Sequence, residues 1–198
     1  MPEFIGEAYY SQEELLSFGF KRLGKAVKIK RNVGIYFPAN LSIGDYSRID
    51  DFCIITCNGA PCEIGDYVHI ASHCVLLAKA GFTMRDFSGL SPMVTVVTNS
   101  DDYSGHRLTN PTVPRDLTGG KEGRVILDKH VIIGTQSVIL PDVTIGEGSS
   151  VGAMSLVNRS LEPWGVYFGV PARRLKERSK DLLELEKMVW ARNQQARE

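Results

Sequence analysis

From Leu127 onward an aliphatic side chain returns at every sixth position, Leu127, Ile133, Ile139, Ile145, Val151 and Val157, with Gly134, Gly146 and Gly152 directly after three of them. Six is a multiple of the strand period of two and not of the helical 3.6. These positions therefore share a face only if each hexad is a short extended run followed by a bend. Three such runs close a triangular coil, and hexapeptide repeats of this kind predict a parallel β-helix. The same phase occurs upstream at Ile43, Ile49 and Ile55 and at Ile64, Ile70 and Leu76. Between Leu76 and Val96 it is imperfect, and Phe82 and Leu90 are taken as the inward positions there. The coil is expected to run from Leu23 to Val157.

Both ends carry helix signals. Ser11-Gln12-Glu13-Glu14 has capping-box spacing and precedes Leu15 and Leu16, which predicts a short helix over the open end of the coil. An uncovered end would expose unpaired strand groups that invite association. Ser179 precedes Leu182, Leu185, Met188 and Val189 at amphipathic spacing, which predicts a terminal helix through about Gln195. The chain thus divides into a capping region (1–22), an all-β domain (23–175) and a C-terminal helix (176–198).

Two stretches break the beat. Thr56 to Glu63, TCNGAPCE, reads as a turn-rich side loop. The longer one, 97–124, has three glycines after Gly105, two prolines and no periodic apolar positions, so it reads as a structureless loop. A stretch of that length inside a compact domain is functional or disordered, and insertions carry what a stacked repeat does not.

Length and charge bound the partners. At 198 residues the chain makes one domain. Lys plus Arg equals Asp plus Glu at 23 each, so no net field favours nucleic acid or an anionic membrane. No apolar run approaches the roughly 20 residues of a membrane helix, and MPEFIGEAYYSQEE lacks the basic and apolar segments of a signal peptide. The expectation is a cytoplasmic protein without membrane insertion. Cys53, Cys57, Cys62 and Cys74 are then expected as reduced thiols in or near the core.

The long interruption holds the densest set of reactive groups: Asn99, Asp101, Asp102, Tyr103, Ser104 and His106. An imidazole near two carboxylates suits general-base catalysis, the acid fixing the tautomer or stabilising the imidazolium. The competing reading is of solvated turn residues and a surface histidine. His69 and His73, with Cys57, Cys62 and Cys74 nearby, superficially resemble a zinc set, but their spacing matches no ligand signature and the two rings fall across a bend. No metal is expected. His130 reads as a solvated corner. Arg173, Arg174 and Lys176 crowd three cations into four residues, which suits a phosphate-bearing ligand.

The pattern I-G-x-x-x-[VI], seen from Val131 to Val138, Ile145 to Ser150 and Val151 to Leu156, is followed by Tyr167-Phe168-Gly169-Val170-Pro171-Ala172-Arg173. Together these resemble the hexapeptide-repeat acyltransferases and their G-V-P-A-R ending, over about Leu23 to Leu175. The chain looks like the sugar-acylating branch, which includes galactoside and maltose acetyltransferases and relatives that acylate nucleotide-linked aminosugars for surface polysaccharides. Ile49-Asp50-Asp51-Phe52-Cys53 and Asp101-Asp102-Tyr103-Ser104-Gly105 look closest to the nucleotide-aminosugar N-acyltransferases.

The resemblance implies a left-handed β-helix, an exception to the right-handed crossover rule. It also implies a homotrimer with three active sites between neighbouring subunits, and an acyl-thioester donor. The family's catalytic histidine carries over to His106, although Arg107-Leu108 follows here where the galactoside branch has more histidine or proline. With a hydroxyl acceptor His106 would take the proton while a backbone N–H holds the oxyanion. With an amine acceptor Asp101 or Asp102 would hold the sugar ammonium, and the departing thiolate or His106 would take the final proton. Adjacent carboxylates point to opposite sides of an extended chain, and Asp102 is preferred. Asn99, Tyr103 and Ser104 would complete the acceptor side. The donor's pantetheine would lie along Gly134, Ser137, Gly152, Ala153 and Ser155. Arg173, Arg174 and Lys176 would meet the phosphates of acyl-CoA or the acidic face of an acyl carrier protein. Phe37 and Tyr46 are candidates for stacking on the nucleotide base. The alternatives are an O-acetyltransferase acting on a sugar hydroxyl, a γ-type carbonic anhydrase with zinc on His69, His73 and His106, and a non-catalytic β-helix scaffold.

Overall fold

The structure, a computed structural model, describes residues 9–195; residues 1–8 of the expected capping region lie outside it. Three parallel sheets form the faces of a triangular, left-handed β-helix. The first face stacks Arg22–Leu23, Leu41–Ile43, Cys62–Ile64, Phe82–Met84, Val125–Leu127 and Thr144–Ile145. The second stacks Lys28–Ile29, Arg48–Ile49, His69–Ile70, Gly89–Leu90, Ile132–Ile133, Ser150–Val151 and Gly165–Phe168, with Arg173–Glu177 added antiparallel at the end. The third stacks Gly34–Tyr36, Ile54–Thr56, Val75–Leu77, Thr95–Val97, Val138–Ile139 and Leu156–Val157. The coil therefore continues past the expected end at Val157 to Gly165–Phe168.

The six-residue beat is the inward register of these strands. Ile29, Ile49, Ile70, Leu90, Ile133 and Val151 pair in sequence on the second face and are all buried. Leu90 lies inward as expected. Phe82 is inward as well, yet the position in phase is Met84, opposite Ile64 and Leu127; strand alternation buries both ends of the three-residue strand.

The phase slips because one corner of the triangle takes extra residues. Between the third and first faces lie the 3-10 turn Pro38–Asn40, the TCNGAPCE turn, the turn from Ala78 to Gly81 and the long interruption. They stack on one another: Asn40 Nδ2 donates to the Cys57 carbonyl (2.8 Å), Ala60 N–H to that of Lys79 (2.9 Å), and Ala80 N–H to Thr98 Oγ1 (2.9 Å).

The other two corners turn through residues in the left-handed region, most of them bulky. Between the first and second faces these are Tyr46 (φ 58°), Tyr67 (φ 57°), Phe87 (φ 58°) and His130 (φ 61°). A bulky residue there is unusual, and stacking offsets its cost. Ring centroids of Tyr46–Tyr67, Tyr67–Phe87 and Phe87–His130 lie 5.0, 5.0 and 5.2 Å apart in stacked geometry, each worth about 0.5–1.5 kcal/mol beyond burial. At the same corner Asp66 Oδ1 accepts the Asp45 N–H (2.7 Å) and Asp86 Oδ1 accepts the Asp66 N–H (2.9 Å), a staircase from coil to coil. A Cβ on Gly44 would come 2.3 Å from Asp66 Oδ1 and 2.5 Å from the Gly65 carbonyl carbon. Gly44→Ala should therefore lower the chemical denaturation midpoint by an amount equivalent to about 1–3 kcal/mol; an unchanged midpoint would mean that the coils separate easily.

The reading of His130 as a solvated corner is corrected here. It is 7% exposed, stacked on Phe87, and its Nε2 lies 2.6 Å from Glu186 Oε2 of the C-terminal helix, Leu182–Gln195. Trp190 of that helix meets Tyr67 and Phe87 edge-on. At the opposite end Ser11 caps the helix Gln12–Ser17 with both capping-box bonds formed, and Leu15 is buried. The four cysteines are buried and free. Among the described residues no helix is long and apolar enough to cross a membrane.

Candidate active site

The long interruption is a hairpin arm, and the reading of it as structureless is corrected. Asn99–Asp101 pairs antiparallel with Gly120–Glu122, in the register Asn99 with Glu122, Ser100 with Lys121 and Asp101 with Gly120. Gly120 (φ +149°) leaves no room for a side chain, since its Cβ would fall 1.8 Å from the Ser100 carbonyl oxygen. Opposite Asp101 the partner strand therefore presents no side chain to cover the carboxylate. The arm is rooted by Thr98, whose hydroxyl donates to the Leu77 carbonyl (3.2 Å) and accepts from Ala80 N–H, and by Gly123 N–H on the Thr98 carbonyl. Ion pairs Lys79–Glu122 and Lys121–Asp142 (3.5 Å) brace it against the corner between the third and first faces.

At the tip the two carboxylates differ. Asp102 is committed to the turn: Oδ1 accepts from Ser104 N–H (2.9 Å) and Ser104 Oγ–H (2.6 Å), and Oδ2 from Arg107 N–H (2.8 Å). These bonds, led by the Ser104 hydroxyl, hold its carboxyl below the usual range, so it is ionised at neutral pH. Asp101 is exposed, and among the described residues its carboxylate accepts one bond, a long one from Asn110 N–H to Oδ2 (3.3 Å).

The same geometry assigns the His106 tautomer. Ser104 Oγ lies 2.6 Å from both Asp102 Oδ1 and His106 Nδ1. An ionised carboxylate can only accept, so the single hydroxyl proton points at Asp102 and Nδ1–H donates to the hydroxyl. In the neutral imidazole Nε2 is then the acceptor. Asp101, Asp102, Tyr103 and His106 border an open concavity of about 560 Å³ with Ser100 and Lys121. Tyr103 is 94% exposed, Asn99 projects from the exposed hairpin, and Ser104 is engaged with its neighbours.

The expected donor groove separates into parts. Ser137 and Ser155 are corrected: both are buried inside the corner between the second and third faces. Ser137 Oγ donates to the Gly152 carbonyl (3.0 Å) and accepts from Ser155 N–H (3.2 Å). They are small because they fill the coil's inner angle. Ala153 is exposed, whereas a Cβ on Gly134 would meet Ala153 N at 2.4 Å, so that glycine serves coil packing. The cations also divide. Arg173 pairs with Phe168 and Lys176 with Val166 on the outer surface of the second face, while Arg174 pairs with the buried Tyr167 and is bound by Glu177 (2.6 Å). Arg174 is thus turned away from its neighbour Arg173 by strand alternation, and the bulge between Val166 and Tyr167 sets Lys176 on the side of Arg173.

Within one chain, the arm and the donor cations do not meet. The arm leaves the corner between the third and first faces, and the second face is the opposite side of the triangle. His69, His73 and His106 are equally dispersed. His69 is on the second face, His73 at a corner against Phe52, and His106 on the arm; among the described residues no cluster of three or more His, Cys, Asp or Glu could hold a metal ion. Sequence reasoning missed the aligned row Lys28, Arg48 and His69 on the second face. Its signal was available, since each of the three directly precedes an inward aliphatic.

The bacterial transferase hexapeptide family (six repeats) matches residues 124–159. Over 179 residues the chain is 41% identical to dTDP-4-amino-4,6-dideoxy-D-glucose acyltransferase of Escherichia coli, covering 90% of this chain and 93% of that one. AntD, an N-acyltransferase from Bacillus cereus solved in complex with dTDP and 3-hydroxybutyryl-CoA, superposes with a TM-score of 0.89 at 44% identity, covering 95% of this chain and all of that one. A variant of AntD in complex with dTDP-4-amino-4,6-dideoxyglucose and coenzyme A gives the same TM-score at 45% identity, over 93% of this chain and 97% of the other.

Proposed function

We take as premise that this chain belongs to the hexapeptide-repeat acyltransferases, close to the nucleotide-aminosugar N-acyltransferases, and infer that it moves an acyl group from acyl-CoA to the amino group of a nucleotide-linked amino-deoxysugar. A pathway of surface-polysaccharide assembly would use such a product. The observation that carries the amine acceptor is the weakly engaged carboxylate of Asp101, which borders the same concavity as the imidazole of His106. A carboxylate free to accept hydrogen bonds suits an ammonium, whereas a hydroxyl acceptor needs only a base.

In this reading Asp101, rather than Asp102, holds the sugar ammonium. Asp102 and Ser104 set the tautomer that leaves His106 Nε2 open. Nε2 takes one proton from the ammonium, and the freed amine attacks the thioester carbonyl. The carbon–nitrogen bond forms, the carbon–sulfur bond breaks, and the departing thiolate leaves with the second proton. The two sides of the site lie on opposite sides of one chain, so the arm of one copy works against the second face of another. A closed homotrimer with three such sites meets that requirement, and sedimentation at three times the chain mass is the expected result. The test of the reaction is thiol release from acetyl-CoA and 3-hydroxybutyryl-CoA, with dTDP-4-amino-4,6-dideoxyglucose and plain glycosides as acceptors. Turnover with the aminosugar alone is expected; turnover confined to the hydroxyl acceptors would refute the reading.

A further inference from the structure

The last strand, Arg173–Glu177, has little of its own to hold it in place. It lies at the end of the second face, pairs along one edge only with Gly165–Phe168, and is exposed throughout. The bulge divides it, with Arg173 in one half and Lys176 in the other. The spacing of these two cations therefore depends on how each half is tied down. The first half follows Ala172, which is buried and donates its N–H to the Leu156 carbonyl (2.8 Å). The second half leads into Arg178.

Arg178 spans successive coils at the corner between the first and second faces. His130 (φ 61°), Gly148 (φ 68°) and Trp164 (φ 58°) turn left-handed there, and the coil's own backbone bonds pass over their carbonyls. Arg178 takes all of them. Its backbone N–H donates to the Trp164 carbonyl (2.8 Å), and its Nη1 to those of His130 (2.8 Å) and Gly148 (2.9 Å), with the Ser149 carbonyl at 3.4 Å. Among the described residues no carboxylate pairs with it, and burial alone pulls its pKa down. A guanidinium taken partly out of water without a counter-charge is a costly filler. What it provides over an apolar side chain is direction, because a rigid donor held by fixed carbonyls has one place to sit.

We propose that Arg178 is a positioning residue for the acyl donor: it bolts the Lys176 half of the strand to the corner, and so sets the spacing at which Arg173 and Lys176 meet the donor's phosphates together. This rests on the reading of the donor as acyl-CoA with its phosphates at that end of the second face. Arg178 acts through the strand, since its Nη1 is spent on the coil's carbonyls. Without it the half beyond the bulge keeps only its pairing with Gly165 and Val166. The Arg174–Glu177 pair crosses the bulge, but it is exposed and holds little. Lys176 would then move independently of Arg173, and the second phosphate contact would lose the high effective concentration that the first confers.

Calorimetric titration of the full-length protein with coenzyme A and with dTDP tests this, alongside steady-state kinetics. Arg178→Met is expected to weaken coenzyme A binding by roughly tenfold and to raise KM for acyl-CoA by the same factor. Its kcat at saturating donor and its dTDP affinity should not change, which separates lost positioning from general damage. Arg178→Lys should fall between the two proteins. Glu186→Gln, which weakens the helix on the same corner, should leave coenzyme A affinity as it is. Wild-type coenzyme A affinity in Arg178→Met, an equal loss in Glu186→Gln, or a fall in kcat with KM unchanged would overturn the role. If Arg178→Met does not fold, an intermediate affinity in Arg178→Lys supports it and wild-type affinity overturns it. The two readings fail separately. If coenzyme A binding depends on Arg178 but no aminosugar is acylated, Arg178 stands and the acceptor falls. If aminosugar is acylated and coenzyme A affinity ignores Arg178, the acceptor stands and Arg178 falls.

Discussion

Asp101→Asn should lower kcat/KM for an aminosugar acceptor by about a hundredfold or more while the arm keeps its shape. The amide is the size of the carboxylate, and the wild-type group makes one long bond to Asn110 N–H, which an amide oxygen can still accept. What disappears is the charge that would hold an ammonium; losing one partner of a hydrogen-bonded charge pair costs about 2–5 kcal/mol. Asp102→Asn should behave differently. Its oxygens accept three bonds from Ser104 and Arg107 within the turn, and one of those bonds sets the His106 tautomer. That change should loosen the tip, seen as faster amide exchange at Ser104 and Arg107, and lower kcat through His106. Equal activity losses with equally protected amides in both variants would remove the distinction between a substrate carboxylate and a turn carboxylate. Full activity in Asp101→Asn would remove the amine-binding role itself.

The coil was legible because burial enforces it. An inward position that lost its aliphatic would open a hole in a stack of Ile, Leu and Val packed on every side, so the beat survives in the sequence. The corners were not legible, because the residues that adopt the left-handed conformation are Tyr46, Phe52, His73, Phe87 and His130 rather than glycine or asparagine. Their conformation is held by the ring in the adjacent coil, about twenty or more residues away, and no local signal announces it. Misreading His130 has the same origin: the acceptor that takes it out of water lies 56 positions downstream. Ser137 and Ser155 suggested a groove because they are small, but smallness fits the inside of a bend equally well. The arm escaped notice as a hairpin because neither of its surfaces faces a core, so Asn99–Asp101 and Gly120–Glu122 have no apolar alternation to show.

The C-terminal helix gives the largest expected stability effect. The Glu186 carboxylate is 11% exposed and accepts from Lys129 Nζ (2.6 Å), His130 Nε2 (2.6 Å) and Trp190 Nε1 (2.9 Å). It joins the helix to the aromatic corner at the point where Trp190 meets Tyr67 and Phe87. Glu186→Ala would leave the buried His130 Nε2 and the partly buried Trp190 N–H without their acceptor and Lys129 without its ion-pair partner, at a cost of about 3 kcal/mol. For a chain of this size that lowers Tm by about 6–12 °C if the helix melts with the coil. If it detaches first, Trp190 emission should shift to the red below the main transition. Burial opposes ionisation of Glu186, but the Lys129, Trp190 and His130 bonds together prevail and hold its pKa at about 2, against an ordinary 4.5. A group with a lowered folded pKa stabilises the fold above its unfolded pKa and loses that contribution as pH falls through the folded one. The wild-type advantage over Glu186→Gln should thus be complete above pH 4.5, shrink as the pH falls towards about 2 and vanish below it. A difference in Tm between the two proteins that stays constant across that window would show that Glu186 holds the helix by shape rather than by charge.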